Sequence, residues 1–285
     1  MSFAITVDST ADLTSDEYAS WDITVVPLSI EVDGEVFVDQ VDLTNAEFYQ
    51  RMQAAENLPK SSQPTPLMFE QTFTALNAPE DSEGVLSLHI ADVLSGTYQS
   101  AVVGADQAKG EVRVINSYNA SAGLGLLAKL AKELRDQGLS LDETATRINQ
   151  AIKEVRFIVA PDTLDNLLKG GRLAAEEAQQ ITALNIKPIF SFNEKGVLVA
   201  HGKARGMNGV IRAYIEEIQQ MTEEYGTLQV RFCHTGNEAA VEKLKKALDE
   251  AGVAYEDAGT CECGATVATH LGLGAVGIGV MPCQR

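Results

Sequence analysis

Short apolar runs alternate along the chain with longer stretches in which apolar residues recur every three or four positions. FAITV (3–7), GVLSLHI (84–90) and EVRVI (111–115) read as buried strands, each followed by a polar cluster. ITVVPLSIEV and EVFVD read as two strands around the Asp33-Gly34 turn, a hairpin signal. A short helix is predicted over 16–21. Thr44 with Glu47 three residues on forms a capping box that opens a helix through about Ala55. KSSQPTP then reads as a loop, and 66–76 as a helix. In VLSGTYQSA, Ser95, Gly96 and Thr97 fall at the first turn of a helix reaching about Ala108. Leu124, Leu127, Leu130, Ala131 and Leu134 mark the apolar face of the next helix, and 141–153 gives another.

Strands alternating with helices imply crossover units and a largely parallel sheet. In such sheets ligands bind at the loops after the strand C-termini. DSTAD, the SGT segment and NSYNAS all occupy such loops. The pattern changes after about Val155. There LDNLLKGGRLAA reads as two helical pieces interrupted by Gly170-Gly171, and KPIFSF, NEKG and VLVAHGKAR as an antiparallel hairpin. Ile211, Tyr214, Ile215, Ile218 and Met221 mark a long amphipathic helix. LQVRFCHT, a helix over about 237–251 and a Gly-rich terminal segment follow. The expected fold is α/β: a largely parallel domain over 1–155 and a second α/β domain with antiparallel strands over 156–285.

Charge narrows the class of partner. A formal net charge of −18 and a pI near 4.6 argue against nucleic acid, which needs a basic footprint, and against an anionic membrane surface. No run of about 18 apolar residues spans a bilayer, so no stable membrane insertion is expected. MSFAITVDST has neither a basic leader nor a long apolar core, which points to a cytoplasmic protein. Cys233, Cys261, Cys263 and Cys283 match no disulfide scaffold, and the C-x-C spacing is a poor zinc signature.

Several clusters carry candidate chemistry. A helix N-terminus offers free N–H groups and a partial positive charge, so Ser95, Gly96 and Thr97 suit an anion, although an ordinary N-cap explains them too. Ser61 and Ser62, on a loop bounded by Pro64 and Pro66, repeat the theme. A site built from both loops would hold four or five neutral donors and no fixed cation. His270 can donate to an anion as a neutral tautomer or as a cation. Gly272, Gly274 and Gly277 formally fit G-x-G-x-x-G, but no acidic residue follows about 20 positions on, and close backbone packing is the better explanation. Arg172 and Arg205, with Lys203, bring cations into an acidic chain as possible ligand or partner contacts. No Ser-His-Asp order or nucleophile elbow is visible. Asp8 and Asp12, with His270 as acid or base, leave open a small-molecule enzyme of phosphotransferase or hydrolase type.

VDSTADL, SSQPTP, LSGTYQSA, NSYNASAGLG, DTLDNLLKGGR, IKPIFSFNEKGVL with KAR, and HLGLGAVG occur in one order across essentially the whole chain. In this combination the chain resembles the DegV family. The resemblance implies a two-domain α/β protein enclosing one long-chain fatty acid between its domains. It further implies a non-catalytic subunit, without cofactor or metal, that presents the acid to a separate ATP-dependent kinase subunit for acyl-phosphate formation and phospholipid metabolism. By position, the carboxylate-binding residues fall on Ser61, Ser95 and His270, with Ser62, Gly96 and Thr97 beside them. Arg172 and Arg205 match arginines of the family, Arg205 as a partner contact. Ser61 stands where a threonine is usual, Leu273 replaces a proline, and Ala91-Asp92 replaces a serine pair, so Asp92 is expected to point away from the anion.

Overall fold

The computed structural model describes residues 2–80, 82–174 and 186–283. In chain order its first strands are β1 (Ser2–Asp8), β2 (Ile23–Val26), β3 (Ser29–Val32), β4 (Glu35–Val38), β5 (Lys60–Ser62), β6 (Ser82–His89) and β7 (Val112–Asn116). Four of them form a parallel sheet in the order β2-β1-β6-β7. The remaining three form a small antiparallel sheet, β4-β3-β5.

Two expectations need correction. ITVVPLSIEV is not one strand. Pro27 lacks an N–H to continue a ladder, so the run breaks there and serves both sheets, β2 in the parallel one and β3 in the hairpin. The hairpin itself forms as read, with Asp33 at φ 47° and Gly34 at φ 90°, the left-handed pair of a type I′ turn. KSSQPTP is not wholly a loop either: Lys60–Ser62 pairs with β3 before the prolines end the strand.

Helices α1 (Ser15–Ser20) and α2 (Asn45–Ala54) open on the capping boxes Thr14/Glu17 and Thr44/Glu47. Thr65 caps α3 (Pro66–Leu76), with Pro66 at the first helical position. Then come α4 (Thr97–Gln107), α5 (Ser121–Asp136) and α6 (Leu141–Ala151). The loops DSTAD, 90–96 and 117–120 all leave the C-terminal edge of the parallel sheet, as expected.

The rest of the chain builds a six-stranded mixed sheet from β8 (Arg156–Ala160), β9 (Ile186–Phe192), β10 (Leu198–Arg205), β11 (Leu228–His234), β12 (Glu256–Glu262) and β13 (Val276–Pro282). Its order is β10-β9-β8-β13-β11-β12, antiparallel except for β11 with β12. The helices here are α7 (Asp165–Lys169), α8 (Gly206–Tyr225), α9 (Glu238–Glu250) and α10 (Ala265–Leu271). The helical piece expected after Gly171 lies, beyond Ala174, outside the described residues.

Helix α5 joins the two main sheets. Leu124, Leu126, Leu127 and Leu130 are buried on it, and it packs against β1 and β6 as well as β11 and β13. Gly279 of β13 makes this close approach possible: a Cβ there would stand 2.7 Å from the Ala122 carbonyl oxygen. Among the described residues no helix is long and apolar enough to cross a membrane.

Candidate functional site

The short helix α10 is positioned by buried carboxylates. Asp39 accepts from Ala265 N (2.9 Å), Thr266 N (3.3 Å) and Thr266 Oγ1 (2.6 Å), and Asp12 accepts from Gly264 N at 2.8 Å. These bonds occupy donors that a helix start otherwise leaves unpaired. At the other end Gly272 turns the chain at φ 73°, and Thr235 Oγ1 donates to its carbonyl at 2.7 Å. Leu273 packs against the apolar cluster that contains Ile30, Phe48 and Ala268. So fixed, α10 turns Thr266, Val267, His270 and Leu271 toward one cavity.

The empty space in this cavity and at its mouth, open solvent included, amounts to about 620 Å³. It lies where the C-terminal edge of the parallel sheet meets the face of the mixed sheet. Thr10, Ile90, Leu94 and Ala120 come from the first, and Phe157, Val159, Phe192 and Leu198 from the second. Leu28, Leu167 and Val267 add to a mostly apolar wall.

Its polar groups include Ser61, Ser95, Arg172 and His270. Ser61 Oγ and His270 Nε2 are 2.9 Å apart. Burial, helped by the positive charge of Arg172, lowers the His270 pKa to about 4, so the imidazole is neutral at pH 7. Its Nδ1 is buried with no hydrogen-bond partner. Ser95 Oγ accepts from Thr97 N at 3.3 Å and lies 2.8 Å from Thr97 Oγ1. Gln63 joins the two serine loops: its side chain covers Gly96, where a Cβ would stand 2.0 Å from Gln63 Oε1, and Nε2 donates to Ser100 Oγ at 2.8 Å.

Arg172 corrects the expectation of a site without a fixed cation. It donates to the Leu94 and Gly170 carbonyl oxygens (3.2 and 2.6 Å) and has no carboxylate partner among the described residues. Burial pulls its pKa below the usual arginine value. Such a guanidinium, beside a neutral imidazole and two hydroxyls, suits a small planar anion.

Not every candidate joins the site. Ser62 follows Ser61 on a strand, so it faces the other way and is exposed. Gly96 is the N-cap of α4 and Thr97 is fully buried behind Ser95; neither lines the cavity. Lys203 and Arg205 are exposed on β10, an edge strand, and do not line it either. Asp92 is exposed.

The enzyme reading loses its acids. Asp8 is fully buried and accepts from Thr10 N and Oγ1, His89 Nδ1 and Ile90 N. Asp12 is equally enclosed, accepts from Ser121 Oγ at 2.6 Å, and has its pKa raised by burial to about 7. Neither lines the cavity. The fold does assemble a Ser87–His89–Asp8 chain that no sequence order reveals, with 2.6 Å between Ser87 Oγ and His89 Nε2. Its three side chains are fully buried and Ser87 also accepts from Thr6, so the Ser87 hydroxyl is not open to a substrate. Cys233, Cys261 and Cys263 are buried in the apolar cluster beside Val267 and Leu271, and among the described residues no metal-binding group of His, Cys, Asp and Glu gathers.

Sequence reasoning does not single out three further polar residues beside the cavity, Thr10, Ser121 and Thr266, all buried. The only signal for the first two is their place on loops at the sheet edge. Thr266, in an Ala- and Thr-rich stretch, has none.

A family model described as an uncharacterised protein of the DegV family matches residues 2–283. A DegV domain-containing protein of Deinococcus radiodurans is 33% identical over 283 residues, 99% of each chain. One from Caldanaerobacter subterraneus is 32% identical over 277 residues, 96% of this chain and 97% of the relative. The fold is similar to that of a DegV family protein from Thermus thermophilus described by its fatty acid binding, with a TM-score of 0.92, 31% identity and coverage of 99% and 100%. It is similar also to a DegV lipid-binding protein from Thermotoga maritima, with a TM-score of 0.87, 30% identity and full coverage of both chains.

Proposed function

The chain belongs to the DegV family, and from that premise we propose that its cavity holds one long-chain fatty acid by the carboxylate. One observation carries the reading: Ser61, Ser95, His270 and Arg172 converge on the wall of an otherwise largely apolar cavity, with Ser61 Oγ 2.9 Å from His270 Nε2. The carboxylate would take hydrogen bonds from the hydroxyls and the imidazole and lie against the guanidinium. The tail would run along Phe157, Val159, Leu167 and Phe192.

Magnitudes assign the roles. About 14 buried methylenes at ~0.8 kcal/mol each give on the order of 11 kcal/mol before the costs of ordering. Each charge-assisted hydrogen bond adds about 1.5–3 kcal/mol, much of it offset by desolvating the carboxylate. The tail therefore supplies affinity and the polar cluster decides which end sits where. With Asp8 and Asp12 shut away, the chain presents the acid rather than transforming it. A separate ATP-dependent kinase subunit would convert the carboxylate to an acyl phosphate, with exposed Lys203 and Arg205 as contacts for that acidic or phosphate-bearing partner. Native mass spectrometry of the purified protein, followed by solvent extraction, tests the reading. A bound C16–C18 acid is expected; a lipid-free protein that also ignores added palmitate and oleate overturns it. Acyl-phosphate formation only when a kinase subunit is added tests the second half.

A further inference from the structure

Gly96 is a glycine for a reason its own backbone does not supply. At φ −70° and ψ 6° it needs no glycine. What the position lacks is room: a Cβ there would stand 2.0 Å from Gln63 Oε1 and 2.8 Å from Gln63 Nε2. The same amide donates from Nε2 to Oγ of the buried Ser100 at 2.8 Å, one turn into α4. One side chain therefore spans the first turn of α4, beside Ser95. Its other end is equally fixed. Gln63 follows Ser61 by two residues, so in an extended chain the two share a side, with the exposed Ser62 opposite. The buried Pro64 holds the Gln63 backbone in that extended form. Gln63 does not line the cavity, whereas Ser61 and Ser95, the residues it bridges, both do.

We propose that Gln63 is a positioning residue of the head-group site: its amide clamps the Ser95–Gly96 turn to the Ser61 strand, so that hydroxyls from two separate segments meet one carboxylate. The proposal rests on the fatty-acid reading above. Helices α3 and α4 also pack together farther along, where Gly104 stands against Phe69, but the turn ahead of α4 is held by the amide. An uncharged side chain suits the task. A lysine here would compete with Arg172 for the anion and a glutamate would repel it, whereas an amide donates and accepts without a net charge.

Delipidated protein titrated with palmitate and with 1-hexadecanol tests this, because the alcohol keeps the tail but offers a single oxygen. Gln63 is exposed, so trimming it opens no void in the core. Gln63→Ala should weaken palmitate about threefold to tenfold, the worth of one neutral hydrogen bond, and leave hexadecanol unchanged. Ser100→Ala cuts only the anchor of the amide; it should act in the same direction, and it serves if the first variant does not fold. Added to Ser95→Ala, the change Gln63→Ala should cost nothing more, since the hydroxyl it positions is gone. Undiminished palmitate affinity, equal weakening of both ligands, or losses that add in the double variant overturn the proposal and leave the fatty-acid reading standing. Native protein that binds neither ligand overturns both.

Discussion

A methyl group at Gly170 would stand 2.6 Å from Nδ1 of His270 and 2.8 Å from the Asn166 carbonyl oxygen. Real Cβ atoms do not approach this closely, and the carbonyl belongs to the backbone of α7 and cannot swing aside. Gly170→Ala is therefore expected to displace the His270 ring and to cost about 1–3 kcal/mol, the usual range for overpacking. Thermal denaturation should show the loss of stability. Palmitate titration should show weaker binding beyond it, because the ring no longer meets Ser61 at 2.9 Å.

The His270 pKa, lowered to about 4, makes a pH prediction with a definite sign. The unfolded chain binds this proton near pH 6.5 and the folded one does not. His270 therefore contributes stability above pH 6.5, and the contribution is lost as pH falls toward 4, by on the order of 3 kcal/mol. A carboxylate beside the ring raises its pKa, so binding an acid takes up a proton. Affinity should rise as pH drops from 7 toward 5, and calorimetry in buffers of different ionisation enthalpy should detect the uptake. His270→Gln should abolish both effects.

Ser61→Ala and Ser95→Ala test the head group separately. Each removes one hydrogen bond to a charged ligand, worth about 1.5–3 kcal/mol before desolvation is counted, so palmitate affinity should fall by up to about 10–100-fold. Ser62→Ala should leave it unchanged, because that side chain is exposed on the opposite face of β5. Equal effects at 61 and 62 would contradict the strand geometry.

What the sequence made legible follows from how local each signal is. Thr44 and Glu47, or Asp33 and Gly34, act within four residues, and the capping box and hairpin turn appear as read. The three loops at the sheet edge were visible because strand and helix alternate. Ser61, Ser95 and His270 came together through the family resemblance, since no rule of spacing links residues 209 positions apart. Arg172 was visible as a charge, not as the cation of the site, because its setting depends on Leu94 and Gly170. The apolar wall could not be read: Phe157 and Val159 follow the pattern of any buried strand. Pro27 is itself a local signal, because a proline inside an extended run cannot donate to a ladder and separates β2 from β3.

Asp12 links folding to pH in the opposite sense from His270. Burial raises its carboxyl from 3.8 to about 7, against the bonds from Ser121 and Gly264 and with the nearby Asp39 adding repulsion. The folded state therefore holds this proton where the unfolded chain has released it. Stability from this group is fully present below pH 4 and is lost as pH rises through 7, by about 4 kcal/mol. Asn tolerates the left-handed backbone of residue 12, at φ 49°, and its amide oxygen still accepts from Gly264 N. Urea midpoints between pH 5 and 8 should fall more steeply in the native protein than in Asp12→Asn, and the variant should be the more stable at pH 8.

Arg231 shows how the two main sheets are tied together away from the cavity. It is 1% exposed on β11, donates in a two-pronged contact to Glu17 of α1, with 2.7 Å between Nη2 and Oε2, and reaches the carbonyl oxygens of Ala258 and Asp12. The partner guanidinium and its hydrogen bonds hold the Glu17 carboxyl below its usual pKa although burial pushes the other way. Removing only the acid leaves a buried cation unpaired, so Glu17→Ala should cost about 3–5 kcal/mol. Replacing Arg231 and Glu17 together by Met and Leu should cost less than Glu17→Ala alone, because no charge is then stranded. Chemical denaturation of the native protein, the single variant and the double variant measures this ordering, and a double variant weaker than the single would show that the pair itself contributes net stability.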